Sequence, residues 1–165
     1  CDAGHAYAPD TASCEACAAG RYAPQGWGEC TGCPAGRYGD AAIDAATSEA
    51  LGCPNLCQPG TFSATVAASN ATTCLLCQPG QFTTGAGSSN CDGQCAAGTF
   101  SRTSGSSSSS DCIDCAAGKY DADAQARTPC QMCPAGQYSD VVGATVCAGA
   151  CESGSFAHAG STDVN

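Results

Sequence analysis

Large apolar side chains are sparse in this chain, and its tyrosines and phenylalanines fall into a single register. Each follows a cysteine in the pattern Cys-x-x-Gly-x-(Tyr or Phe). The regular copies end at Tyr22, Tyr38, Phe62, Phe82, Phe100, Tyr120, Tyr138 and Phe156. A looser copy, Cys1…Gly4-His5-Ala6-Tyr7, opens the chain with one extra residue. Between Gly and aromatic stands a polar residue: Arg21, Arg37, Thr61, Gln81, Thr99, Lys119, Gln137 or Ser155. A polar residue followed by an aromatic one predicts a short strand, one side chain out and the next in. The Gly is expected either at φ > 0 or at a close backbone approach. The ring is expected to cover its own cystine, so that nine rings form nine miniature repeat cores. Because Tyr and Phe interchange, the phenol oxygen is expected at the periphery. A platform of exposed rings is the alternative.

After each aromatic comes a stretch rich in Ser, Thr, Gly, Asn and Ala, which are turn residues. No window carries a helical stripe. Asp40 to Leu51 is expected to hold one short helical turn.

The cysteines punctuate this pattern in pairs: 14/17, 30/33, 53/57, 74/77, 91/95, 112/115, 130/133 and 147/151, with Cys1 alone. The aromatic motif always follows the second member. The chain is therefore one continuous array, 1–165, of repeats 1–16, 17–32, 33–56, 57–76, 77–94, 95–114, 115–132 and 133–150, with a shorter 151–165. The expected fold class is small and disulfide-rich: an elongated tandem array of short β-hairpin and loop units with little regular secondary structure.

Composition explains why cysteine must dominate. Of the 43% hydrophobic residues, only 22 are larger than Ala and Cys, too few for a core of ordinary size. Seventeen cysteines in 165 residues lie in the range of disulfide scaffolds, which form in oxidising compartments. The expected location is extracellular or at the cell surface. No signal peptide is visible and no apolar run approaches the roughly 20 residues of a membrane span. The expectation is an excised length of a longer chain, without membrane insertion by this segment.

The net charge of −10 excludes a nucleic-acid surface. The acidic residues read as a solubilising surface, with Asp121-Ala122-Asp123 as a weak calcium candidate that lacks further ligands. Cys-x-x-Cys occurs five times, which raises zinc. Against it, the only histidines are His5 and His158, neither at ligand spacing, and three pairs are Cys-x-x-x-Cys. A thioredoxin-like role lacks its βαβ context. No catalytic constellation is recognisable, so no enzyme, cofactor or metal is expected.

Glycans are the expected modification. Asn70-Ala71-Thr72 is the sole N-glycosylation sequon. Thr103, Ser104, Ser106, Ser107, Ser108, Ser109 and Ser110 are candidate O-linked sites, the alternative being a flexible Ser/Gly linker.

Two pairings fit the cysteine spacing. A crossed scheme joins Cys14 to Cys30 and Cys17 to Cys33. A ladder joins Cys1–Cys14, Cys17–Cys30, Cys33–Cys53, Cys57–Cys74, Cys77–Cys91, Cys95–Cys112, Cys115–Cys130 and Cys133–Cys147. The ladder is favoured because it uses Cys1 and places each Gly and aromatic inside its own loop. It leaves Cys151 unpaired and predicts a partner for it beyond Asn165.

The pattern resembles the ephrin-receptor-like cysteine-rich repeat, a relative of growth-factor-receptor and tumour-necrosis-factor-receptor modules. Cys33-Pro34-Ala35-Gly36-Arg37-Tyr38 and Cys133-Pro134-Ala135-Gly136-Gln137-Tyr138 carry it most clearly, and it covers nearly the whole chain. The resemblance implies extracellular, disulfide-stapled rods, found in receptor ectodomains and in large surface or fibrous glycoproteins of protists and algae. A structural rod segment, partnered by itself or by neighbouring repeats of a longer chain, is the leading expectation. The alternative is a ligand-binding ectodomain with its site in 33–56, where Ile43 and Leu51 are expected on the surface. Trp27, in the preceding repeat, is a further candidate contact, although packing against its own loop is the favoured reading for it.

Overall fold

The turn after each second cysteine sets the path of the chain. In Pro34-Ala35-Gly36-Arg37 the Arg37 N–H donates to the Pro34 carbonyl at 3.1 Å, and Gly36 has φ +83°. A turn with φ > 0 at its third residue strongly favours Gly there. The same bond recurs at Arg21, Thr61, Gln81, Thr99, Lys119 and Gln137. The computed structural model of the chain describes residues 1–25, 28–123, 128–152 and 155–163. The expectations for Trp27 and Gly154 lie outside these residues.

Each turn launches a two-residue strand that pairs, antiparallel, with the residues between the next two cysteines. Arg21–Tyr22 pairs with Thr31–Gly32, Arg37–Tyr38 with Asn55–Leu56, and Thr61–Phe62 with Leu75–Leu76. Gln81–Phe82 pairs with Gly93–Gln94, and Thr99–Phe100 with Ile113–Asp114. Lys119–Tyr120 pairs with Gln131–Met132, and Gln137–Tyr138 with Gly149–Ala150. The first hairpin, His5–Ala8 with Ser13–Ala16, is longer. A return strand thus explains why two residues suffice inside a cysteine pair. In the three wider pairs the extra residue precedes the strand: Pro54, Asp92 and Ala148. Among the described residues helix is confined to Glu49–Gly52, capped by the Ser48 hydroxyl, and to 3-10 turns at Ala71–Thr73 and Ser109–Asp111. The helical turn expected within 40–51 therefore sits at the end of that segment.

The disulfides close each hairpin on itself: Cys1–Cys14, Cys17–Cys30, Cys33–Cys53, Cys57–Cys74, Cys77–Cys91, Cys95–Cys112, Cys115–Cys130 and Cys133–Cys147. This is the ladder arrangement. Cys151 is the free cysteine.

The core is not aromatic. Buried positions are the second cysteines (Cys17, Cys33, Cys57, Cys77, Cys95, Cys115, Cys133), the first cysteines Cys53 and Cys147, and small residues such as Ala23, Ser63, Ser101 and Ser139. The expected repeat-core rings Tyr22, Tyr38, Phe62, Phe82, Phe100, Tyr120 and Tyr138 are half-buried, and Tyr7 and Phe156 are 53% and 56% exposed. The inward position falls one residue after the ring. The Phe82 and Tyr138 rings instead lie on their own hairpins: a Cβ on Gly93 or Gly149 would meet the Phe82 or Tyr138 ring at 2.4 Å. The physical reason is the spacing between repeats, where backbone meets backbone and only small side chains fit.

The chain forms two compact units, 1–76 with 85–90 and 77–84 with 91–165. Within the first, Gly36 N–H donates to the Ser63 carbonyl at 2.8 Å and Gly36 C=O accepts from Cys57 N–H at 2.9 Å. The loop of the following repeat then reaches back. Ser63 N–H donates to Ser88 C=O, and Gly87 N–H to Cys57 C=O. Ala45 and Ala67 make the equivalent bonds to the Cys17 and Cys33 carbonyls. The second unit repeats the set. Gly98 and Gly118 donate to Asp121 and Ser139, and Gly143 and Gly160 donate to the carbonyls of Cys115 and Cys133. All of these joints are made by backbone groups, which satisfies buried donors without any particular side chain.

One contact in these joints does depend on side-chain size. The loop residue with positive φ lies against the residue that precedes a second cysteine. Ala67 faces Gly32, whereas Gly87, Gly143 and Gly160 face Leu56, Asp114 and Met132. Gly87→Ala would place a methyl 2.8 Å from Leu56 Cδ2 at φ +78°. The backbone share of its cost is about 1–2 kcal/mol. Thermal melts of Gly87→Ala, Leu56→Ala and the double variant should show coupling, with Leu56→Ala recovering the steric share. Strict additivity would contradict this pairing.

Candidate functional site

Asn70 ends a loop whose path is fixed by Ala67 at φ +54° and by the buried Ala68. It is exposed and caps Ala71–Thr73. Its Oδ1 accepts from Thr72 N–H at 3.0 Å and from the Thr72 hydroxyl, while its Nδ2 reaches Ser69 Oγ at 3.4 Å. Asn70 also borders a 350 Å³ hollow whose wall includes Tyr38, Asp40, Asn55 and Ser69.

The serine run divides. Ser106 is 4% exposed, bridges Phe82 through its backbone, and its hydroxyl lies 3.4 Å from both Ser101 Oγ and the Thr103 carbonyl. It is therefore a core residue rather than an O-glycan acceptor. The reading of a flexible linker is also corrected. Ser108 caps Ser109–Asp111 in a capping box, and Asp111 Oδ2 accepts from the Ser107 and Ser108 N–H groups at 2.9 and 3.2 Å. Thr103, Ser104, Ser107, Ser109 and Ser110 are exposed and Ser108 is half-buried.

Sequence reasoning missed this because it treated the loops as bland. Gly105-Ser106-Ser107 is one copy of a second motif, seen also as Ala45-Ala46-Thr47, Ala67-Ala68-Ser69, Gly87-Ser88-Ser89, Gly143-Ala144-Thr145 and Gly160-Ser161-Thr162. Its first residue takes the positive φ in every copy, and the second is half-buried or buried. Aligning loops forward from the aromatic would have exposed it, because the positive-φ residue stands five positions after Phe62, Phe82, Phe100 and Tyr138.

Asp121 occupies the small inward position after Tyr120 and is 6% exposed. Its Oδ1 accepts from Asp123 N–H at 3.1 Å, and its Oδ2 has no hydrogen-bond partner among the described residues. Among the described residues no group of three or more His, Cys, Asp or Glu side chains can hold a metal ion. His158 packs edge-on against Phe156 with centroids 5.2 Å apart, and His5 Nδ1 lies 3.4 Å from the Ala3 carbonyl.

In 33–56, Leu51 is exposed but Ile43 is half-buried, its N–H turned onto the Asp40 carbonyl. A different surface brings charge and apolar area together. Arg102 lies over the Phe100 ring at 5.3 Å, and with Ile113, Asp114 and Lys119 these residues border a 220 Å³ hollow. Two of the chain's five basic side chains meet there. The sequence signal was the cross-strand pairing of Phe100 with Ile113, which needs the hairpin register to be seen.

No family model matches the chain, and no curated protein shows significant similarity to it. The class is defined by the fold itself: a small disulfide-rich tandem array of two-stranded hairpins. Among the described residues no helix is long and apolar enough to cross a membrane.

Proposed function

We propose that the chain is a non-enzymatic structural segment of an extracellular protein, a stiff rod of ephrin-receptor-like cysteine-rich repeats within a larger surface or filament-forming glycoprotein. Eight disulfides fit an oxidising compartment. The observation that supports the structural role most is the backbone joint: the same bonds recur while the loop sequences change. Such joints let repeats be added and loops vary without altering the contact between neighbours. Its partners are further repeats, other copies of itself, and glycans carried at Asn70.

Small-angle scattering of the oxidised protein tests the rod. A compact domain of this length has a radius of gyration of about 15 Å. The reading expects a value well above that with a scattering curve of rod form, and electron microscopy of native material should show filaments. A compact value would overturn it.

A ligand-binding ectodomain is the second reading, favoured by the hollow at Phe100, Arg102 and Lys119. Its paired cations suit an acidic, partly apolar ligand. Titration with acidic peptides should then show saturable binding that Arg102→Glu abolishes.

A further inference from the structure

We propose that Asn70 carries an N-linked oligosaccharide whose first sugar residue lies in the hollow beside Tyr38. The proposal rests on the glycoprotein reading above and deepens it by giving the glycan a seat on the protein.

The Asn70 amide has a defined orientation. Its Oδ1 faces the Thr72 backbone N–H, a group that only donates, so oxygen and nitrogen cannot be exchanged. The nitrogen is left toward Ser69, at a distance of 3.4 Å that makes a weak bond. Ser69 borders the hollow, so the nitrogen is directed along its rim. In the attachment step this nitrogen bonds the anomeric carbon of an oligosaccharide activated as a polyprenyl pyrophosphate. The nitrogen loses a proton, the anomeric C–O bond breaks, and the polyprenyl pyrophosphate leaves. No electron transfer is involved. The first sugar, an N-acetylhexosamine, is then fixed within one bond of the rim.

The walls suit a sugar. Tyr38 is half-buried and offers an aromatic surface to the C–H face of a pyranose ring. The Asp40 carboxylate accepts from Ala42 N–H at 3.0 Å and retains acceptor capacity for sugar hydroxyls. The Asn55 amide donates to the Gly39 carbonyl at 3.4 Å, which leaves its own oxygen for an N–H of the acetamido group. At 350 Å³ the hollow lies at the small end of the range for ligand sites, about 300–1,000 Å³. A free monosaccharide would bind so shallow a site poorly. A tethered one is held at an effective concentration of about millimolar or above, so weak contacts suffice.

The test uses the full chain secreted from a eukaryotic cell line. Mass spectrometry of the Asn70 peptide reads attachment. Nuclear Overhauser contacts from the N-acetyl methyl to the Tyr38 ring read docking, and so does the rate of enzymatic glycan release. Docking that leaves about one tenth of the glycan free slows release about tenfold. Tyr38→Ala should restore the fast rate. Tyr38→Phe, which substitutes the ring used in other repeats, should keep the slow one. Should Tyr38→Ala misfold, Asp40→Ala reads the same wall from an exposed position. A modified Asn70 without contacts to Tyr38, released as fast as from the reduced chain, overturns docking and leaves the glycoprotein reading intact. An unmodified Asn70 overturns both.

Discussion

Gly36→Ala should unfold the joint between the third repeat and the loop that closes over it. At φ +83° the substitution alone costs about 1–2 kcal/mol. The new methyl would also stand 1.9 Å from the Gly87 carbonyl oxygen, a backbone atom that no rotamer change can move aside. The Gly36 N–H and C=O bonds to Ser63 and Cys57 must then separate, and the expected loss is roughly 3 kcal/mol or more. Gly136→Ala is the matched control. Its φ is +86°, but none of the described residues lies within 4 Å of the added carbon, so only the backbone share of about 1–2 kcal/mol is expected. Denaturant unfolding followed by amide exchange at Cys57 and Ser63 reads the difference. Equal losses at the two glycines would show that the loop does not close on the turn.

Removing the Cys33–Cys53 bridge by paired alanine substitution should have an effect of the same order. Both sulfurs are fully buried, and the bridge spans 20 residues of sequence. In the chain-entropy treatment a loop of that length contributes about 3 kcal/mol. Emptying two buried side-chain sites adds to that loss. Cys1–Cys14 closes 13 residues and lies nearer the surface, so its paired removal should cost less. Thermal unfolding of the two variants orders them, and secreted yield should follow. An equal or larger loss at Cys1–Cys14 would mean that burial of the cystine contributes nothing.

Much of the hairpin was legible in the sequence because covalent and steric rules act locally. Cys-x-x-Gly announced a turn that needs φ > 0, and the polar-aromatic pair after it announced a strand. The register of that strand was not legible, because its partner was hidden between two cysteines that read as metal or redox spacing. The cores were misassigned for a related reason. A ring three steps from a disulfide looks inward when one repeat is considered alone. Once repeats meet backbone to backbone, with Gly36 2.8 Å from the Ser63 carbonyl, no ring fits and the inward place passes to Ser63 itself. Ser106 shows the same limit. Within a serine-rich run it looks solvated, and only its contacts with Phe82 and Ser101 reveal it as core. The Asn70 sequon was legible as a motif, but its neighbour Tyr38 belongs to the preceding repeat and is brought close only by the fold.

Peptide mapping of the oxidised protein under non-reducing conditions tests the central claim, that each repeat is stapled to itself and only then clamped by its neighbours. The account predicts linked peptides carrying Cys17–Cys30 and Cys33–Cys53. Recovery of Cys14 linked to Cys30, or of Cys17 linked to Cys33, would contradict it.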